Sequence, residues 1–340
     1  MTLQKLSTEI SNSDGIISSP DYGTTKMLRL GIGCTLRIED RRIRMVVNKH
    51  GSFYLRSGWG TKIIDAVKED ETIFSPNNEQ AAVDNIGLGR VMIKALRYWS
   101  DAIGLTEEEK RPTGISKRKT SLFNLIDTHD RYYQRMGSLL LMHRNLARNI
   151  EDATAWYWAF NELKAQTFTK EEFVDGFHAF LGVNGVNVKR AATEKEFNCF
   201  KNTYIGDEKF DRKTIVDEDT YPFLAPLHLL RVNDEKKFEK VPVTKAEMPL
   251  EILLYSIAYD NGNEETGWEQ KQISIDQLME DKLQIGKYYN MRYSKLIEML
   301  MEAENKKMLI LSNNFGNRHI EMTDYPYQDL LRQYYVGEEN

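Results

Sequence analysis

The spacing of apolar residues along the chain predicts a protein built mainly of α-helices. Apolar residues recur three and four positions apart over several stretches, which is the spacing that lines one side of a helix. These stretches are residues 61–68, 79–103, 136–147, 153–164 and 169–180. The last begins with the Thr-x-x-Glu sequence of a capping box, Thr169 to Glu172, which indicates a helix N-terminus.

Two crossing helices are predicted within residues 79–98. Gly87 interrupts the helical pattern, and glycine readily takes the left-handed conformation that ends a helix. One side of the helix beyond it comprises Met92, Leu96, Trp99 and Ile103, and the opposite side comprises Arg90, Lys94 and Arg97. An apolar back and a cationic front suit a helix-turn-helix whose second helix enters a DNA groove. The alternative is an ordinary helical hairpin with a solvated cationic face.

A second module is predicted at the C-terminal end. Residues 249–257 and the segment around Ile275 have helical patterns, and a third, strongly amphipathic helix follows over 293–301. The apolar runs 308–311 and 319–322 flank a turn rich in Asn and Gly, which is typical of a β-hairpin. Three helices followed by a hairpin are the element order of a winged helix.

The predicted fold class is therefore mainly α with small β elements, with a helix-turn-helix in the N-terminal half and a winged-helix-like module at the C-terminal end. The predicted parts are an N-terminal arm and extended segment (1–45), a helix-turn-helix DNA-binding domain (46–120), a central helical domain (121–245), a winged-helix-like domain (246–326) and a tail (327–340). Within the second part, the charged segment 106–120 carries Pro112 and Gly114 and is predicted to be a connector.

Charge is distributed unevenly along the 340-residue chain, whose formal net charge is −5. Residues 1–150 carry 23 Lys and Arg against 17 Asp and Glu, whereas residues 151–340 carry 23 against 34. Screening confines interactions between exposed charges to roughly 8–10 Å, so a basic region attracts phosphate whatever the distant charge. Residues 246–326, with 8 cations against 14 anions, fit protein docking better than DNA.

Candidate chemistry is sparse. Cys34 and Cys199 are too few for a disulfide scaffold or a four-cysteine zinc site, and they suit a reducing cytoplasm. No apolar run reaches the roughly 18 residues of a membrane span, and no secretory signal is expected. Two acidic clusters are candidates for a magnesium centre, although acidic loops are usually only solvated. They are Asp207-Glu208-Asp211 and Asp217-Glu218-Asp219.

Three strings, taken together, resemble a known family. They are His50-Gly-Ser-Phe-Tyr-Leu-Arg-Ser-Gly-Trp-Gly60, then Ile73-Phe74-Ser75 with Lys94-Ala95-Leu96-Arg97-Tyr98-Trp99, and finally Ala153-Thr154-Ala155-Trp156-Tyr157-Trp158-Ala159-Phe160-Asn161. In this order they resemble the SspB-like family of bacterial single-strand DNA phosphorothioation and phage-defence systems, over roughly residues 46–320.

The resemblance implies a component of a system that replaces a non-bridging phosphate oxygen of DNA by sulfur. Its SspB-like member is credited with DNA nicking, which would use Mg²⁺ or Mn²⁺. The implied partners are DNA, an ATP-pyrophosphatase-like sulfur transferase, an ATPase and a cysteine desulfurase. A non-enzymatic adaptor that positions the sulfur-transfer proteins and a transcriptional regulator are the alternatives, so whether the chain is an enzyme stays open.

The candidate DNA-binding residues combine the resemblance with the helix pattern. They are Arg56 and Lys62, which follow the first string, and Arg90, Lys94 and Arg97 on the helix front. Catalytic and metal-binding residues are not assigned. The tryptophans of the three strings are expected in the core rather than in contact with bases, because Trp is highly buried on average.

Overall fold

The protein comprises two compact units in a computed structural model, residues 1–44 and 45–340. The described residues are 26–30, 34–38, 44–112, 114–205, 221–263, 267–268, 272–314, 317–322 and 327–337. In the first unit, strands β1 (Lys26–Leu30) and β2 (Cys34–Ile38) pair in antiparallel orientation, with Lys26 opposite Ile38. This hairpin falls within the predicted extended segment.

The second unit is mainly helical. Its α-helices are α1 (Trp59–Glu69), α2 (Glu79–Ile86), α3 (Arg90–Ala102), α4 (Ser121–His129), α5 (Met136–Arg148), α6 (Thr154–Tyr157), α7 (Lys170–Val183), α8 (Arg190–Tyr204), α9 (Leu250–Asp260), α10 (Ile275–Glu280), α11 (Ile285–Tyr288), α12 (Tyr293–Asn305) and α13 (Tyr327–Val336). Helix α6 continues into a π-helical turn, Trp158–Glu162. Thr169 and Glu172 form the predicted capping box at the start of α7.

Short antiparallel sheets complete the second unit. Their strands are β3 (Thr106–Arg111), β4 (Gly114–Lys119), β5 (Thr167–Phe168), β6 (Leu230–Val232), β7 (Phe238–Lys240), β8 (Gly262–Asn263), β9 (Gly267–Trp268), β10 (Ile273–Ser274), β11 (Leu309–Asn314) and β12 (Asn317–Met322). Strand β3 pairs with β4, β8 pairs with β9, β7 lies between β5 and β6, and β12 lies between β10 and β11. The fold is thus mainly α with small β elements, as the sequence predicts.

The segment predicted to be a connector is instead a β-hairpin. Strands β3 and β4 pair along their whole length, from Thr106 opposite Lys119 to Arg111 opposite Gly114. Gly114 has a φ of 132°, a conformation that L-residues rarely adopt, which explains a glycine at this end of the turn. The charged residues that suggested a connector form cross-strand pairs such as Glu107 with Arg118.

The C-terminal end contains the predicted hairpin and an additional helix. Strands β11 and β12 flank the predicted turn, and β12 also pairs with β10. Residues 327–336, predicted to be a tail, form helix α13, which packs against α9. Apolar residues explain the difference, because Leu330 and Leu331 are buried in the core. The winged-helix assignment and the finer domain boundaries stay predictions.

A continuous hydrophobic core extends through the second unit, from Leu55 near its start to Tyr335 near its end. Trp59, Trp99 and Trp156 are completely buried, and Trp158 is nearly so. This confirms their expected place in the core. None of the helices in the described ranges is long and apolar enough to cross a membrane.

His143 gives the stability of this core a predictable dependence on pH. Its Nε2 lies 2.5 Å from the carbonyl oxygen of Tyr288, which can only accept, and its Nδ1 lies 2.7 Å from the Tyr204 hydroxyl. Burial lowers the pKa of His143 to about 4. Below its ordinary pKa near 6.5 the unfolded chain therefore binds a proton that the folded protein does not.

We expect His143 to cost the wild-type protein about 3 kcal/mol of unfolding free energy as the pH falls from 6.5 to 4. Urea denaturation at pH 7.0 and pH 4.5 checks this in the wild type and in His143→Gln, which cannot titrate. The variant should be less stable at pH 7.0 but should lose less on acidification. Equal losses in both proteins would contradict the prediction.

Candidate nucleic-acid interface

Helix α3 has the predicted apolar back and cationic front. Gly87 ends α2 with a φ of 72°, and α3 begins at Arg90 after the extended Gly89. Leu96, Trp99 and Ile103 are completely buried on the back of the helix. The cations of the front are Arg90, Lys94 and Arg97. The predicted division of this helix into two sides is therefore present in the structure.

The back of α3 is fixed by hydrogen bonds as well as by packing. The Trp99 indole Nε1 donates to the Phe53 carbonyl oxygen at 2.9 Å, and the Tyr98 hydroxyl donates to the Asp152 carbonyl oxygen at 2.9 Å. Both partners lie far away in the sequence. A helix held in this way presents its front cations in a defined orientation, which favours binding to a regularly spaced ligand such as a phosphate backbone.

Each front cation has a partner within the protein. Arg90 donates to the Gln80 side chain at 3.0 Å, and Lys94 lies 3.6 Å from the Glu79 carboxylate while 69% of its side chain stays exposed. Arg97 donates to one oxygen of Glu108 through Nε at 3.1 Å and Nη2 at 2.7 Å. The front is therefore cationic, but neighbouring carboxylates reduce its charge at Lys94 and Arg97.

The β3–β4 hairpin packs against the same helix through Lys117. This lysine is completely buried, contacts Asp101 of α3, and lies 3.5 Å from Glu108. Burial raises the pKa of Asp101, and Lys117 only partly offsets that effect. Burial acts the same way on Glu108, but hydrogen bonding to Arg97 and the charge of Lys117 outweigh it and lower the pKa. Glu108 is therefore ionised at neutral pH.

Arg56 has a different environment from the cations of α3. Its guanidinium lies over the rings of Tyr54, Phe53 and Trp59, at 5.1, 5.8 and 5.7 Å from their centroids. Its Nε is buried and has no hydrogen-bond partner within the part of the chain that the structure describes. Stacking on aromatic rings gives Arg56 a packing role, and DNA binding by this residue stays a prediction.

Lys62 is directed towards the end of helix α2. Its Nζ donates to the Ile86 carbonyl oxygen at 3.2 Å, an interaction that favours a helix C-terminus. Beside it, Asp65, Glu69 and Asp70 line an open cleft of about 500 Å³. Because this cleft is acidic, Lys62 is less suited to phosphate than the cations of α3, and its role in binding also stays a prediction.

A buried polar contact that the sequence did not reveal supports the loop before α1. His50 stacks on Trp99 with 6.2 Å between ring centroids, and its Nε2 lies 3.2 Å from the Glu196 carboxylate. Glu196 also accepts a hydrogen bond from the Asn48 backbone. Both His50 and Glu196 are buried, so this contact fixes the loop against the back of α3. Glu196 lies on α8, too distant in sequence for spacing to suggest the pair.

A metal centre is not seen in the described residues. No three His, Cys, Asp or Glu side chains in those ranges come together as a metal site. Both acidic clusters named as candidates, 207–211 and 217–219, lie outside the described residues. The described residues therefore do not by themselves fit a magnesium centre, and no catalytic step is assigned to them.

Comparison with known proteins defines the class of this chain. Residues 47–335 match the model of the family described as "Protein of unknown function (DUF4007)". The chain therefore belongs to the DUF4007 family. Among curated proteins, none matches it significantly.

Two similar solved structures are crystal structures of SspB. A magnesium-bound form is 21% identical, with a TM-score of 0.74, and the match covers 85% of this chain and 88% of that one. A second SspB structure is 22% identical, with a TM-score of 0.72 and the same coverage. The resemblance inferred from the three strings is thus confirmed at the level of the fold.

Proposed function

We propose that this chain is the DNA-binding component of a bacterial DNA phosphorothioation defence system, and that the front of α3 contacts the DNA backbone. The observation that carries the proposal is the SspB fold over 85% of the chain. The cationic front of α3, fixed from behind through Trp99 and Tyr98, gives that fold a surface suited to phosphate.

The charges around α3 suggest binding that depends strongly on salt. Lys and Arg that contact phosphates release condensed counterions, so affinity falls as salt rises, by a slope of about −0.9 per phosphate contact. Glu79 and Glu108 already compensate Lys94 and Arg97, which weakens the attraction in the free protein.

Fluorescence anisotropy with a labelled DNA duplex tests this part of the proposal. The dissociation constant should rise steeply between 50 and 200 mM salt, by roughly 10-fold to 100-fold for three or four phosphate contacts. A protein that does not bind duplex or single-stranded DNA at 50 mM salt would refute the DNA-binding function.

We further propose that the chain nicks DNA in the presence of Mg²⁺ or Mn²⁺, because a magnesium-bound protein shares its fold. Incubation with supercoiled plasmid should produce open circles with either metal, and EDTA should prevent this. A mock purification from cells that lack the protein controls for contaminating nuclease. Binding without nicking in either metal would leave the adaptor function and contradict the nickase function.

The acidic C-terminal half is proposed to dock the other proteins of the system. Its helix α12 carries Glu298 and Glu302, both partly exposed, beside the exposed Tyr293 and Met301. An acidic surface with exposed apolar side chains is better suited to a protein than to DNA. The sulfur transferase, the ATPase and the cysteine desulfurase are the candidate partners.

A further inference from the structure

A carboxylate lies between two cations where the β3–β4 hairpin meets α3. Glu108 Oε2 lies 2.7 Å from Nη2 of Arg97, and 3.5 Å from Nζ of Lys117. Arg97 is partly exposed, whereas Lys117 is completely buried behind the carboxylate. Two cations that converge on one oxygen are the arrangement that commonly binds a phosphate group.

We propose that Arg97 and Lys117 form a binding site for a phosphodiester group of the DNA backbone, and that the Glu108 carboxylate occupies this site in the free protein. The inference rests on the proposed DNA-binding function and adds a residue, Lys117, that is not on the helix front. The ligand must displace Glu108 before it contacts Lys117.

The surroundings allow Glu108 to leave. All residues of β3 after Thr106 are exposed, so the displaced carboxylate has solvent around it. Lys117 keeps its contact with Asp101, which also accepts a hydrogen bond from Thr106 at 2.7 Å. The buried lysine therefore keeps one counter-charge throughout, and the incoming phosphate replaces the other.

This exchange reduces the affinity for DNA in the wild-type protein. Arg97 and Lys117 are neutralised by Glu108 before binding, so contact with phosphate replaces one anion by another. If Glu108 has no charge, the same contact pairs previously uncompensated cations. Removal of this charge should therefore strengthen binding and make it more sensitive to salt.

The test is Glu108→Gln, measured by fluorescence anisotropy with a labelled duplex between 50 and 200 mM salt. We expect the dissociation constant at 100 mM salt to fall by about 5-fold to 10-fold, and the salt slope to steepen by up to about one unit. The double variant with Arg97→Gln should lose this gain. The matched control is Glu107→Gln, which makes the same charge change one residue away, where Glu107 pairs with Arg118.

The outcomes separate this inference from the function on which it rests. If the wild type binds DNA and Glu108→Gln binds equally or more weakly, Glu108 merely positions Arg97 and the inference is overturned. Equal gains in both single variants would show a general charge effect and would also overturn it. If the wild type and both variants fail to bind, the DNA-binding function itself fails, and the inference with it.

Discussion

Replacement of Arg90, Lys94 and Arg97 together by glutamate is expected to abolish DNA binding, with a loss of at least about 100-fold at 100 mM salt. The three side chains form the cationic front of α3, and their reversal adds three negative charges where the backbone would lie. A duplex of about 20 base pairs and fluorescence anisotropy measure the effect. The triple glutamine variant should lose less, because it removes attraction without adding repulsion.

A matched control reverses three cations far from α3 in the sequence. Lys295, Lys306 and Arg332 are about half exposed or more and belong to α12, its C-terminal end and α13. Their replacement by glutamate changes the net charge equally but should alter binding less than about 3-fold, since screening limits their reach. Similar losses in both triple variants would show that only net charge matters. Thermal melting of each variant must first show an intact fold.

Helix α3 could be predicted because one pattern fixes both of its sides. An amphipathic helix in contact with a large core must bury its apolar side, so Trp99 on the back determines where Arg97 on the front points. The turn before it was equally predictable, since Gly87 adopts the left-handed conformation that the sequence suggested. What the sequence could not supply is the partner of each cation, because Glu108 belongs to a different element.

The β3–β4 hairpin could not be recognised from its pattern. A half-buried strand alternates apolar and polar residues, but β3 is exposed along almost its whole length and carries no apolar residue. Its stability comes from cross-strand charge pairs and from the buried Lys117, and lysine is a residue type that is rarely fully buried. Both features resemble a solvated loop when only the sequence is available.

The candidate site shows a similar limit. Arg56 and Lys62 were chosen from the first string, but their roles depend on neighbours in space: an aromatic cluster around Arg56 and the end of α2 beside Lys62. Likewise, His50 belongs to that string, yet its contact Glu196 lies on α8. Spacing within one element predicts its faces, whereas contacts between distant elements require the folded structure.

Replacement of Asp260 by alanine is expected to reduce the unfolding free energy by about 3–5 kcal/mol, because it leaves a buried arginine unpaired. The Asp260 side chain is completely buried at the end of α9 and contacts Arg144 and Arg148 of α5, and it accepts a hydrogen bond from Tyr288 of α11. Burial opposes the charge of Arg144, but the Asp260 carboxylate outweighs that effect and raises the pKa of the guanidinium. Arg144 therefore stays charged whether or not its partner is present.

Urea denaturation measures this loss, and two further variants identify its cause. Glu280→Ala removes an exposed carboxylate that pairs with Lys287, and it should change stability by less than about 1 kcal/mol. The double variant Asp260→Ala with Arg144→Met should be more stable than Asp260→Ala alone, since it removes the unpaired charge as well. If the double variant were no more stable, lost packing rather than a buried charge would explain the effect. Because Asp260 joins α5 to α9 and α11, its loss should weaken the attachment of the acidic C-terminal half to the helices that support α3.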